Sequence, residues 1–184
     1  MKHFLKIADG IDISAIAMAL HLQPELWNQQ HQRKSFEGSA HKATSDIWLR
    51  YNDLKNLGDD YHAFTQQHES VWYPAASALP VKPLIHHLAS RMLATRIGGC
   101  LITKIAPGGK VLPHIDKGWH PEYYNCKLYV PIKANPKCAN RVEDEWVVMS
   151  AGDCWYFDNT KEHEVTNDGD DDRMTLIISL KVES

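Results

Sequence analysis

From residue 96 onward, short apolar runs alternate with turn residues, which is the pattern of an antiparallel β domain. The runs predict strands over residues 97–105, 111–116, 124–132, 146–149, 154–157, 162–166 and 174–181. Pro107-Gly108-Gly109 and Ala151-Gly152-Asp153 read as tight turns between them. Residues 134–145 read as a long charged connection and 167–172 as an acidic one. Before residue 96 the period changes. Ile13, Ile16, Ala17 and Leu20 have helical spacing, with Asp12 or Ser14 as the cap. Leu79-Pro80-Val81 opens a second helix that places Leu84, Ile85, Leu88, Met92 and Leu93 on one face. Residues 28–44 are polar without a period and read as loop. Residues 46–52 alternate like a strand, read as an addition to a sheet edge.

Helices followed by many short strands predict a mainly β fold, a jelly roll buttressed by N-terminal helices. A chain of 184 residues suits one domain, 1–184, with mixed N-terminal support over 1–95 and the β core over 96–184. The net charge of −3 argues against nucleic-acid binding driven by bulk electrostatics. Cys100, Cys126, Cys138 and Cys154 form no CxxC pair, and their scatter suits reduced thiols in a cytosol. Asp9, Gly10 and Asp12 interrupt the first apolar run, so neither a signal peptide nor a membrane span is expected, and the cytoplasm is the expected location.

The chemistry centres on His114-Ile115-Asp116. A His and a carboxylate two apart on a strand share a face, which would turn Ile115 toward the core. The triplet alone is a weak signal, but His163 follows downstream and can complete a face of three ligands. Two imidazoles and one carboxylate are the ligand set of non-heme Fe(II) oxygenases. Arg173 then enters an apolar strand, sharing a face with Thr175, while Met174, Leu176 and Ile178 take the other. A cation there needs an anion or several acceptors. Asp170, Asp171 or Asp172 could supply a salt bridge; the alternative is a cosubstrate carboxylate held bidentately, as 2-oxoglutarate would offer.

The stretches PGGKVLPHID, KLYVPIKANPKC, GDCWYFDNTKEHEVTNDG and DRMTLIISL, in that order, make residues 96–180 resemble the aspartyl/asparaginyl β-hydroxylase family of Fe(II)/2-oxoglutarate oxygenases. The resemblance implies a double-stranded β-helix of the cupin group. It implies Fe(II) on His114, Asp116 and His163, and the distal carboxylate of 2-oxoglutarate on Arg173, with Thr103 as an assisting hydroxyl. It also implies O2 as co-reactant, and hydroxylation of an unactivated C–H with release of succinate and CO2. Lys127 and Tyr129 depart from the Arg and His usual in bacterial members; Lys127 can still meet the cofactor carboxylate as a point charge, or be an exposed strand lysine. Asp158 and Asn159 could support the distal His, though turn-shaping is their simpler role.

For the substrate, Trp119 and His120 follow the HxD strand and could flank the metal mouth as a lid. Trp48 and Arg50 sit on the 46–52 strand, where Arg50 could meet an acidic group or make a surface ion pair. His68, Trp72 and Tyr73 could also approach. The target could be an Asp- or Asn-like side chain of a free amino acid, peptide or protein; fold and metal do not decide. The competing readings are a cupin-type metal dioxygenase that does not use 2-oxoglutarate and a non-catalytic jelly-roll binding or sensor module.

Overall fold

The computed structural model describes residues 2–59, 61–66 and 69–183. Its strands are β1 (Phe4–Ala8), β2 (Thr44–Asn52), β3 (Ser70–Trp72), β4 (Ala94–Ile105), β5 (Lys110–His114), β6 (Cys126–Lys133), β7 (Cys138–Val142), β8 (Glu145–Val147), β9 (Cys154–Phe157), β10 (His163–Asn167) and β11 (Arg173–Val182). The helices are α1 (Ser14–Leu22), α2 (Gln32–Ser35), α3 (Tyr61–Phe64), α4 (Ala75–Ala78), α5 (Lys82–Arg91) and α6 (Trp119–Tyr123). The strands form two antiparallel sheets. The major sheet runs β1-β9-β6-β11-β4-β2-β3 and the minor one β5-β10-β7-β8. This is the expected jelly roll.

Strand alternation sorts the major sheet into two faces. The outer face presents Ile47, Leu49, Ile102, Leu128, Val130, Leu176, Ile178 and Leu180 to Ile16 and Leu20 of α1 and Ile85 and Leu88 of α5. Each such fully buried side chain stabilises the fold by roughly 1.5–3 kcal/mol. The inner face, toward the minor sheet, carries Tyr129, Ile105 and Ile177 against Val111, Val142 and Val165. Arg173, Thr175 and Thr103 share that inner face and are all buried.

Pro107-Gly108-Gly109 is a turn joining β4 and β5. The Gly109 N–H donates to Ala106 O at 2.9 Å, and Gly108 takes φ +72°, the left-handed third position of a type II turn.

Several sequence expectations need correction. Residues 134–145 contain a strand, β7. Its buried positions include Cys138 and Asn140 as well as Val142, so the alternation was hidden by a polar residue facing inward. β2 is not an edge strand, because β3 pairs outside it. The interrupted N-terminal run forms β1, paired with β9. The boundary at residue 95 does not separate support from core, since β1, β2 and β3 belong to the major sheet. The 28–44 segment includes the one-turn helix α2. Neither Asp12 nor Ser14 is the N-cap of α1; Ile13 is, while Asp12 accepts the Ser14 N–H at 2.9 Å. Met92 and Leu93 lie past the end of α5, and Leu93 is exposed. β5 ends at His114, so Ile115 leaves the strand and is exposed instead of facing the core.

Candidate metal centre

β5 and β10 are paired so that His114 stands directly opposite His163. Their rings lie 4.3 Å apart, centroid to centroid. Asp116, two residues past His114, turns back over them. Its Oδ1 is 3.5 Å from His114 Nε2 and 3.9 Å from His163 Nε2. One ligand atom from each residue lies within 4.8 Å of the others. Two bonds of about 2 Å through one ion span nearly that separation, so small side-chain shifts would close the set on a metal.

The imidazoles are oriented by their own backbone. His114 Nδ1 donates to Leu112 O at 2.7 Å and His163 Nδ1 to Lys161 O at 2.9 Å. A carbonyl only accepts, so each Nδ1 carries the proton and each Nε2 lone pair faces Asp116. Asp116 is divided in the same way. Its Oδ2 accepts from Lys127 Nζ and from Asn159 Nδ2, the latter at 2.9 Å, which leaves Oδ1 toward the histidines. Burial pushes the Asp116 pKa up, but Lys127 and the two histidines outweigh it and hold the carboxyl well below its usual range. His163 is pushed down to about 4, chiefly by burial, so it is a neutral ligand at physiological pH.

Arg173 lies deeper, on β11. It is buried, donates to Asn140 Oδ1 at 2.8 Å, and places its guanidinium 5.9 Å from the Tyr129 ring centroid. None of the three neighbouring aspartates pairs with it; Asp171 meets Lys133 and Asp172 meets Lys104. Among the described residues no carboxylate ion-pairs with Arg173. Desolvation lowers its pKa, as expected of an uncompensated buried cation. Next to it on the same face, Thr175 Oγ1 is buried without a hydrogen-bond partner. A cation lacking an anion beside a hydroxyl lacking a partner fits one incoming carboxylate.

The neighbours expected around that anchor are placed differently. Thr103 pairs across strands with Thr175, but its Oγ1 donates to Asp46 Oδ1 at 2.9 Å and is already used. Asp46 also takes Arg33 Nη1 at 2.9 Å. Lys127 points at Asp116 and not at Arg173. Tyr129 packs against Phe157 at a tilt, with centroids 4.4 Å apart, as a packing residue.

A cavity of about 450 Å³ opens beside the triad, walled by His114, Asp116, Lys127, Trp48, Arg50 and Trp119, among others. That is the size of a small-molecule site. Trp119 and His120 belong to α6, which covers the cavity. The Gly99 N–H donates to His120 Nε2 at 3.1 Å, and burial pushes His120 down to about 4. A Cβ at Gly98 would stand 2.7 Å from the Tyr124 ring, so glycine there lets the α6 segment lie close on β4. Trp48 is buried against Phe64 and Tyr73 and forms one wall. Among the described residues Arg50 makes no ion pair; its Nε donates to Ile97 O at 3.1 Å. Trp72 and Tyr73 do not line the cavity; Trp72 stacks with Arg50 and His86, and Tyr73 packs in the Trp48 cluster. His68 lies outside the described residues.

Two contributors carry no signal in the sequence. His41 packs edge-on to His114 at 4.8 Å and comes from the aperiodic 28–44 stretch. Asn140 lies on the unpredicted β7. Asn159, expected as a possible support for the distal His, supports Asp116 instead. No periodic signal marks His41 or Asn140.

The family model for aspartyl/asparaginyl beta-hydroxylases matches residues 19–182. The chain belongs to that family. As a family member it is an oxygenase of the hydroxylase type. No curated protein matches the sequence closely. Among solved structures, a prolyl-4-hydroxylase from Pseudomonas putida is similar over 99% of this chain and 94% of its own, at 10% identity and TM-score 0.53. A 2OG-Fe(II) oxygenase family oxidoreductase from Burkholderia pseudomallei covers 75% of this chain and 67% of its own, at 9% identity and TM-score 0.54. At such identities the likeness is one of fold. The hydroxylase-family chain has no described helix long and apolar enough to cross a membrane.

Proposed function

We propose that this hydroxylase uses Fe(II) and 2-oxoglutarate to hydroxylate an unactivated C–H bond of an amino-acid, peptide or protein side chain, releasing succinate and CO2. The observation that carries the reading is the buried, anion-free Arg173 beside the unpartnered Thr175 hydroxyl. A metal dioxygenase without such a cosubstrate, or a binding module, leaves that buried cation unexplained.

His114, Asp116 and His163 would hold the iron, and Arg173 with Thr175 the distal carboxylate of 2-oxoglutarate. Thr103 is left out of this anchor, because its hydroxyl proton goes to Asp46. Bound together, iron and cosubstrate supply O2 activation and the oxidising equivalent for C–H cleavage. The remaining work belongs to the side chains. Lys127 and Asn159 keep Asp116 ionised and aim one oxygen at the histidines. Trp48, Trp119 and His120 wall the cavity and exclude water from the C–H to be oxidised. No side chain needs to act as a general base.

The test is spectroscopic and then chemical. Anaerobic addition of Fe(II) and 2-oxoglutarate should give a weak visible charge-transfer band, and O2 should then yield succinate. His163→Ala should abolish both. Absence of band and succinate from the wild-type protein would sink the reading.

A further inference from the structure

A second cavity, of about 640 Å³, opens at the end of the major sheet. There β4 runs on past its partner. β2 pairs with it only as far as Arg50 opposite Cys100, and the β4 residues before Cys100 pair with β11 alone. Arg96 and Ile97 of that stretch form one wall of the cavity, and Glu69 and Ser70, where β3 begins, form another. Arg50 borders both this cavity and the metal-side one. Its anchors decide where its charge lies. Arg50 stands opposite Cys100 and Trp72, which belong to or pack against the outer-face core. Its guanidinium carbon lies 5.1 Å from the Trp72 ring centroid, and its Nε donates to Ile97 O at 3.1 Å. Ile97 lines the second cavity and not the first, so the fork is held at the second.

The donors gathered there lack acceptors. Among the described residues neither Arg50 nor Arg96 makes an ion pair, although the exposed Glu69 lines the same cavity. Ser70 is only 6% exposed, yet its Oγ has no hydrogen-bond partner. Ser70 pairs with Asn52 and Trp72 with Arg50, so Ser70 and Arg50 share one face as diagonal neighbours, about 7–8 Å apart and within reach of a long side chain. Arg96 stands opposite Lys181, whose Nζ lies 5.5 Å from the ring centroid of Tyr123, another lining residue. Three cations against one carboxylate leave this end of the sheet positive. A guanidinium only donates, and a buried hydroxyl without a partner is costly until something completes it. An oriented fork, a second cation and an orphan hydroxyl together fit one oxyanion.

We propose that this second cavity binds an oxyanion, a phosphate or carboxylate group, on Arg50, Arg96 and Ser70, apart from the metal centre. The site stands independently of the oxygenase reading. Trp119 and Tyr124 wall both cavities, so α6 is the partition between them. An anion on the two arginines lies behind the helix that covers the metal-side cavity. The rings of Trp119 and Tyr123, stacked 5.2 Å apart, offer a flat surface beside it and an optical reporter of its arrival.

The test titrates inorganic phosphate and, separately, acetate into the full-length protein at constant ionic strength, following tryptophan fluorescence. At least one anion should give a saturable change that chloride does not, and the tighter of the two names the source as a phosphate or a carboxylate. Arg50→Gln should weaken that anion roughly 10- to 150-fold, the loss of its charge-assisted hydrogen bonds. Arg96→Gln should weaken it about two- to fivefold, as for an exposed charge. Ser70→Ala should weaken it about 2- to 10-fold while leaving the anion-free Tm unchanged or higher, because its hydroxyl has no partner to lose. Arg173→Met should bind it as the wild type does. If Arg50→Gln loses its near-ultraviolet circular dichroism, Arg96→Gln and Ser70→Ala decide. No saturable change beyond that of chloride, or wild-type affinity in the folded variants of the second cavity, would overturn the proposal. So would loss of binding in Arg173→Met, which would move the anion to the metal side.

Discussion

Arg173→Met separates a cosubstrate anchor from a structural pillar, because the two roles predict opposite changes in stability. Arg173 is buried and has one neutral acceptor, Asn140 Oδ1. An unpaired buried ion costs several kcal/mol. One charge-assisted hydrogen bond returns about 1.5–3 kcal/mol. Methionine removes the desolvation cost at similar volume, but leaves Asn140 Oδ1 unpartnered at a cost of about 1–3 kcal/mol. The balance is a cosubstrate-free protein that is unchanged or more stable by up to about 2 kcal/mol. At this chain length that is a rise of up to roughly 4–8 °C in Tm. The same change removes a bidentate carboxylate partner worth about 2–4 kcal/mol, so 2-oxoglutarate should bind roughly 30- to 1000-fold more weakly. Thermal unfolding with Mn(II) in place of Fe(II), with and without 2-oxoglutarate, measures both effects. Wild-type protein should gain up to about 4 kcal/mol at a thousandfold excess of cosubstrate over Kd, and the variant only about 0.4–2 kcal/mol at the same concentration. A variant that melts well below wild type alone, yet gains as much from 2-oxoglutarate, would refute the reasoning.

Asn159→Ala should weaken metal binding 10- to 100-fold by freeing one oxygen of Asp116 to rotate, read by competition with a chromophoric chelator. Stability of the metal-free protein should fall as pH drops from about 6.5 toward 4, and fall further below that as Asp116 and Asp153, whose carboxyls the fold holds low, take up protons. His120 and His163 stay neutral in the fold down to about 4, whereas the unfolded chain takes up their protons near 6.5. Each histidine contributes on the order of 3 kcal/mol at most, and because burial holds His41 down as well, His120→Gln should flatten the urea-unfolding pH profile between about 6.5 and 4 by about a third. Gly98→Ala puts a methyl group 2.7 Å from the Tyr124 ring and should displace α6, raising KM for substrate more than it lowers iron affinity.

The inner and outer faces of β11 were legible because the strand alternates cleanly; Arg173 and Thr175 follow directly from it. His114, Asp116 and His163 were legible through their chemistry, although the geometry that joins them is not the expected one. The strand stops at His114, and Asp116 reaches the histidines by folding back from a loop tied to Asn159 by the Asp116 N–H. β7 stayed hidden because inward-facing polar residues erase period-2 hydrophobicity, and Asn140 is inward because a buried guanidinium needs an acceptor. Residues 28–44 have no period at all. Their contribution of Arg33 and His41 is set by contacts to β2 and β5, which only the folded chain brings together. Thr103 shows the limit of carrying a role across by position, since its partner, Asp46, lies on a strand far upstream.

The clamp on each histidine, a ring nitrogen bonded to the carbonyl two residues earlier, has a further implication. Both ligands take their tautomer from a carbonyl of the local main chain, while neighbouring rings (His41 on His114, Phe157 on His163) only pack against them. The metal-facing geometry is therefore insulated from changes at surrounding positions. Sequence around the iron can drift to suit new substrates while the two nitrogens keep pointing the same way. The carboxylate ligand has no such insulation, since its aim depends on Lys127 and Asn159, two remote side chains. Variation in this centre should accordingly concentrate on the acidic ligand and its supports.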